Sequence, residues 1–79
     1  MLFVMFATAH PERYSDLFHL LHHARIPEGV KIREKLEIFG KPDVVVIFEA
    51  NNEELASKFV EQFGRVSDVI THLALRVRE

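Results

Sequence analysis

The sequence predicts an α+β domain in which a four-stranded antiparallel sheet carries two helices, in the chain order β-α-β-β-α-β. Three patterns point there. Two runs, Leu2 to Ala7 and Asp43 to Ala50, are apolar with little interruption and show neither helical period nor alternation, as strands covered on both faces do. Two others, Val30 to Ile38 and Val69 to Val77, alternate apolar with polar or small residues and read as strands with one wet or mixed face. Between them lie two stretches with apolar residues at the helical spacing.

Taken in order, Leu2 to Ala7 is the first strand. At His10-Pro11-Glu12 the pattern changes to a helix start, with proline at the first helical position and an acid in the first turn. Tyr14, Leu17, Phe18, Leu21 and Ala24 form that helix's apolar stripe, and Ile26-Pro27-Glu28-Gly29 ends it in a turn. In the second strand Val30, Ile32, Leu36 and Ile38 alternate with Lys31, Arg33, Lys35 and Glu37, and Glu34 breaks the series, which is the mark of a bulge or of a carboxylate pointing inward. Phe39 to Asp43 is short enough to make an antiparallel hairpin with the strand that follows.

Asn51-Asn52-Glu53-Glu54 then reads as a capping box, with Asn51 at the N-cap and Glu54 three positions on. Leu55, Ala56, Phe59, Val60 and Phe63 form the stripe of the second helix, Ser57, Lys58 and Glu61 face water, and Gly64 stands where a C-terminal cap belongs. Val69 to Val77 is the last strand. Right-handed crossovers put the strands in the order 4-1-3-2. Independently, the two uniformly apolar strands are the first and third, the two that this order places in the middle.

The 79 residues are one domain, 1–79, without repeat or linker. A domain so small often needs a disulfide, a metal or a partner for stability, and the chain has no cysteine. Seven of its residues are Phe and 48% are hydrophobic, so self-association is the expected help. Ten Lys+Arg against twelve Asp+Glu leave a formal charge of -2, without the basic excess of nucleic-acid binding. The apolar start, Met1 to Phe6, has no charged residue before it and is too short for a signal-peptide core, and no run reaches membrane-spanning length. The expectation is a soluble cytoplasmic protein with no nucleic-acid or membrane partner.

With both helices on one face of the sheet, the other face of the middle strands is apolar and open, and a second copy packed sheet to sheet is the simplest cover. The segment Gly40-Lys41-Pro42-Asp43-Val44-Val45-Val46-Ile47-Phe48-Glu49-Ala50-Asn51-Asn52-Glu53-Glu54-Leu55-Ala56 resembles the signature of the small GYD domains. There Gly-x-Tyr-Asp opens a strand that ends in Glu-Ala before an acidic helix start, and Pro42 stands in place of the Tyr. Ile26-Pro27-Glu28-Gly29-Val30 resembles members of the same dimeric α+β barrel superfamily, of ferredoxin-like topology. The two segments together cover 22 of the 79 residues. It implies a homodimer with a ligand cavity between sheet and helices or between sheets. Its members include cofactor-independent monooxygenases, muconolactone isomerase-like enzymes and amino-acid-sensing domains, which share no catalytic constellation to carry over.

Candidate site residues follow from position. His72 and Arg76 share a face of the last strand, an imidazole beside a fixed cation, and suit a small hydrophobic or aromatic acid. Tyr14 is placed to bring a hydroxyl to a cavity mouth, and Asp43, which opens the central strand, either serves a site or caps the hairpin by accepting backbone N–H groups. His19 and His23 have the spacing of a helical metal pair, but on the solvent side and without a third ligand. No Ser-His-Asp order, phosphate loop, Cys pair or dinucleotide fingerprint occurs, and no cofactor is expected. Two functions remain: a homo-oligomeric binding or interaction module without catalysis, and a cofactor-independent monooxygenase- or isomerase-like enzyme. RNA binding through the sheet and an ACT-type regulator fit less well, the first for lack of an RRM signature, the second for lack of a Gly-rich turn after the first strand.

Overall fold

The computed structural model describes residues 1–78 and has the expected order: β1 (Leu2–Ala9), α1 (Tyr14–His23), β2 (Val30–Glu37), β3 (Val44–Ala50), α2 (Glu53–Val60), a 3-10 turn (Glu61–Arg65) and β4 (Ser67–Ala74). The strands form one antiparallel sheet in the order β2-β3-β1-β4, with the two most apolar strands in the middle. This is a ferredoxin-like α+β fold. One face of the sheet buries Phe3, Met5 and Ala7 of β1 and Val44, Val46, Phe48 and Ala50 of β3 against Leu17 and Leu21 of α1 and Ala56, Phe59 and Phe63 that follow β3. Alternation along β1 and β3 leaves Leu2, Val4, Phe6, Val45 and Ile47 on the opposite face, only half-buried.

The strand predicted with a break at Glu34 is bulged there. Ile32 pairs with Phe48 and Glu34 with Ile47, so Arg33 is the additional residue. One inserted residue exchanges the faces downstream. Leu36, expected beside Val30 and Ile32, therefore turns to the open face opposite Val45. Lys35, expected in water, turns to the helix side, where its ammonium donates to the Leu21 carbonyl at 2.8 Å. That carbonyl lies in the last turn of α1, where a cation is favoured.

Helix ends depart from expectation. Pro11 is not the first helical residue: it sits in a turn closed by the Arg13 N–H to the His10 carbonyl at 2.9 Å, with Glu12 at φ 65°, and α1 starts at Tyr14. Proline at the second position and a positive φ at the third is the type II pattern, which favours glycine where Glu12 stands. Replacing Glu12 by glycine is expected to stabilise the chain by about 1 kcal/mol in urea denaturation, since a left-handed non-glycine residue costs roughly 1–2 kcal/mol. The cap of α2 is Asn52 rather than Asn51, its side chain accepting the Leu55 N–H at 2.9 Å. Gly64 lies inside the 3-10 turn and does not cap α2. At Gly29, φ is 93° and a Cβ would meet Leu55 and Asn51 side-chain atoms at 2.8 and 2.9 Å, so the turn before β2 needs glycine both for conformation and for room. The last strand runs from Ser67 to Ala74, earlier at both ends than the Val69 to Val77 expected, which leaves Leu75, Arg76 and Val77 beyond it.

Candidate functional site

The open face of the sheet is the one large surface that the helices leave uncovered. Its floor is Leu2, Val4 and Phe6 of β1 with Val45 and Ile47 of β3, flanked by Leu36 of β2 and by Ile70, 60% exposed, of β4. Alternation with the core residues of the same strands turns these apolar side chains to the open face. In an antiparallel sheet with one solvated face, such positions are more often polar.

The face has two differently charged ends. Where β1 begins, Lys31 and Arg33 of β2 and Arg76 after β4 surround Glu49 of β3. Arg33 Nε hydrogen-bonds the Glu49 carboxylate, Arg76 Nη2 stands 3.7 Å from it, Lys31 is its cross-strand neighbour, and the chain's amino group donates to the Ala50 carbonyl at 2.9 Å. The Arg33 hydrogen bond, helped by the charges of Arg33, Arg76 and the amino terminus, holds the Glu49 carboxyl below its ordinary value in spite of its partial burial. A lowered carboxylate pKa stabilises the fold above the unfolded-state value and ceases to do so as pH falls through the lowered one. Wild type is therefore expected to lose thermal stability on acidification through the carboxylate range more steeply than Glu49→Gln, in melts recorded across that range.

At the opposite end a concavity of about 460 Å³ opens on the face. Phe6 and Thr8 of β1 and Asp68, Ile70 and His72 of β4 form its floor and wall, and Lys41 and Pro42 of the β2–β3 loop form its rim. The His72 ring meets Phe6 edge-on at 6.0 Å between centroids, and Asp68 holds His10 Nε2 at 3.2 Å. An apolar floor with an imidazole and a lysine at its margins can seat a small apolar body and meet an acid group.

The residues singled out from sequence do not converge. His72 lines the concavity. Arg76 lies beyond β4 at the other end of the face, engaged with Glu49. Tyr14 was placed on the core stripe of α1, but it is 53% exposed and packs against Phe18, rings tilted and centroids 4.6 Å apart, because the later helix start moves it into the first, uncovered turn. Asp43 is a structural cap, though its bond reaches β1 rather than the hairpin: Oδ2 accepts the Ala9 N–H at 2.8 Å, while its own N–H donates to Ala7. Asp43→Ala is expected to cost about 1–3 kcal/mol in denaturant melts, the effect of leaving a part-buried N–H unpaired. His19 and His23 stand ring to ring at 4.5 Å on the solvent side of α1, and among the described residues no group of three His, Cys, Asp or Glu side chains is placed to hold a metal. No family profile, curated protein or solved structure matches the chain.

Sequence reading passed over Thr8, Lys41, Pro42 and the His10–Asp68 pair. The pair joins residues 58 positions apart, so only the β1–β4 register, Thr8 opposite Asp68, brings them together. Lys41 and Pro42 read as turn residues and became a rim only once the hairpin was folded.

Proposed function

We propose that the protein is a homodimeric binding module of the dimeric α+β barrel kind, two copies packing their open sheet faces together and enclosing a site for a small hydrophobic or aromatic acid beside His72. The observation that carries this reading is the continuous apolar floor from Leu36 across Val45, Ile47, Val4 and Phe6 to Ile70. Four strands spaced about 4.8 Å apart and some 26 Å long present roughly 500 Å² of projected face, more once side-chain relief is counted. That is the scale of a standard-size interface, about 800 Å² per partner. The GYD-like segment from Gly40 to Ala56 agrees with it, contributing β3 and the start of α2. As the chain has no disulfide, burial of this face also supplies stability that so small a core lacks.

An apolar-surface dye tests the reading. Dye binding is expected to be low at high protein concentration and to rise on dilution as the dimer parts. Strong dye binding independent of concentration contradicts the proposal. For the ligand, an aromatic carboxylate titrated by NMR is expected to shift Phe6, Ile70 and His72 resonances and to lose affinity in His72→Ala.

A further inference from the structure

We infer that the second copy lies with its strands antiparallel to those of the first, Arg76 of each copy meeting Asp68 of the other. The inference rests on the dimer reading above. A two-fold axis relating two stacked faces must lie between them, and with aligned sheets it runs either along the strands or across them. An axis along the strands superposes like ends of the face and sets β2 over β4 of the other copy. Lys31 and Arg33 of each copy would then lie over the end of β4 that leads into Arg76 of the other, setting like charges at the same end of the face. An axis across the strands lays the cationic end of each copy on the opposite end of the other, β4 over β4.

The register places this second axis. Glu34, Ile47, Val4 and His72 form one row across all four strands. Asp68 precedes His72 by four residues and Arg76 follows it by four, so at strand pitch the two lie on opposite sides of the row, each about 13 Å from it. Rotation about the row carries one onto the other. Both are available: the Asp68 side chain is 86% exposed and pairs with His10, and that of Arg76 is 71% exposed and 3.7 Å from Glu49, beyond hydrogen-bond length. In this arrangement Ile47 and Val4 pack on their own copies at the centre. Glu34 of the two copies approach at the β2 edge, where the side chain is exposed, and His72 meets its counterpart at the β4 edge. Arg76 of the second copy closes the outer end of the concavity beside His72. The lining of that site would then come from both copies.

Charge reversal tests the pairing, with sedimentation equilibrium of the full chain as the readout. Asp68→Arg and Arg76→Asp are each expected to raise the dimer dissociation constant about tenfold or more, since the symmetry repeats each change twice. The double variant is expected to return near the wild-type value, a recovery that loss of the His10 or Glu49 contact would not produce. Single variants that leave the constant unchanged, a double variant weaker than either single, or tighter association in Arg76→Asp overturn the inference, the last being the signature of the parallel register. In each of those cases wild type is still a dimer. A wild type that sediments as monomer instead removes the dimer reading itself.

Discussion

Phe48→Ala is expected to lower the stability of the chain by about 3–5 kcal/mol, the cost of emptying a fully buried aromatic site. Phe48 has no exposed surface and lies between Phe3 of β1, stacked at 5.4 Å, and Phe59 of α2, edge-on at 4.9 Å, with Phe63 a further 5.5 Å on. Four rings thus tie the two central strands to α2 and the turn after it. Truncating the second ring leaves Phe3 and Phe59 without their common neighbour, and a β-branched or Ala-sized replacement cannot restore contacts on both sides. At roughly 0.05–0.15 kcal/mol per residue, a chain of this length has only about 4–12 kcal/mol in total. Between roughly a quarter and all of it would be lost, and urea unfolding should show a midpoint moved well toward zero denaturant. A loss below about 1 kcal/mol would mean that the ring chain is not the centre of the core.

The ring chain was half legible in the sequence. Phe59 and Phe63 fall on a helical stripe, and Phe48 sits in a run that reads as a strand at once, because five consecutive apolar residues leave no other secondary structure for so short a segment. The strand order followed from right-handed crossovers, and the contrast between uniformly apolar and alternating strands agreed with it. Harder to read was everything that depends on a single residue of register. Glu34 signalled the bulge, but which of Lys35 and Leu36 faces the helices is decided by where the additional residue lies, and only pairing with β3 fixes that at Arg33. Pro11 fits both a helix start and a turn, and the choice fell to the turn through the bond between Arg13 and His10. His72 and Arg76 share a face of one strand and were read together, yet four residues of extended chain separate them by about 13 Å. Within one copy they do not face one site: His72 lines the concavity and Arg76 stands by Glu49.

Ile47→Lys is expected to weaken dimerisation about a hundredfold or more while leaving the monomer folded. Ile47 is at the middle of the open face, between Val4 and Glu34 in neighbouring strands, and the two-fold repeats any change there. A charge in the centre of an apolar interface must lose its water without gaining a partner from the other copy, which costs far more than a rim substitution. Within its own sheet the new ammonium has Glu34 as a cross-strand partner and stays in solvent, so the fold itself has little to lose. Circular dichroism should remain that of wild type as the sedimenting mass halves. If Ile47→Lys associates as wild type does, the interface lies elsewhere.

Sedimentation equilibrium of the wild-type chain at micromolar concentration and neutral pH tests the covered sheet face most directly. The expected mass is twice that of the 9.2 kDa chain, falling toward the single-chain value on dilution. A mass of one chain throughout, with the fold intact, would contradict it.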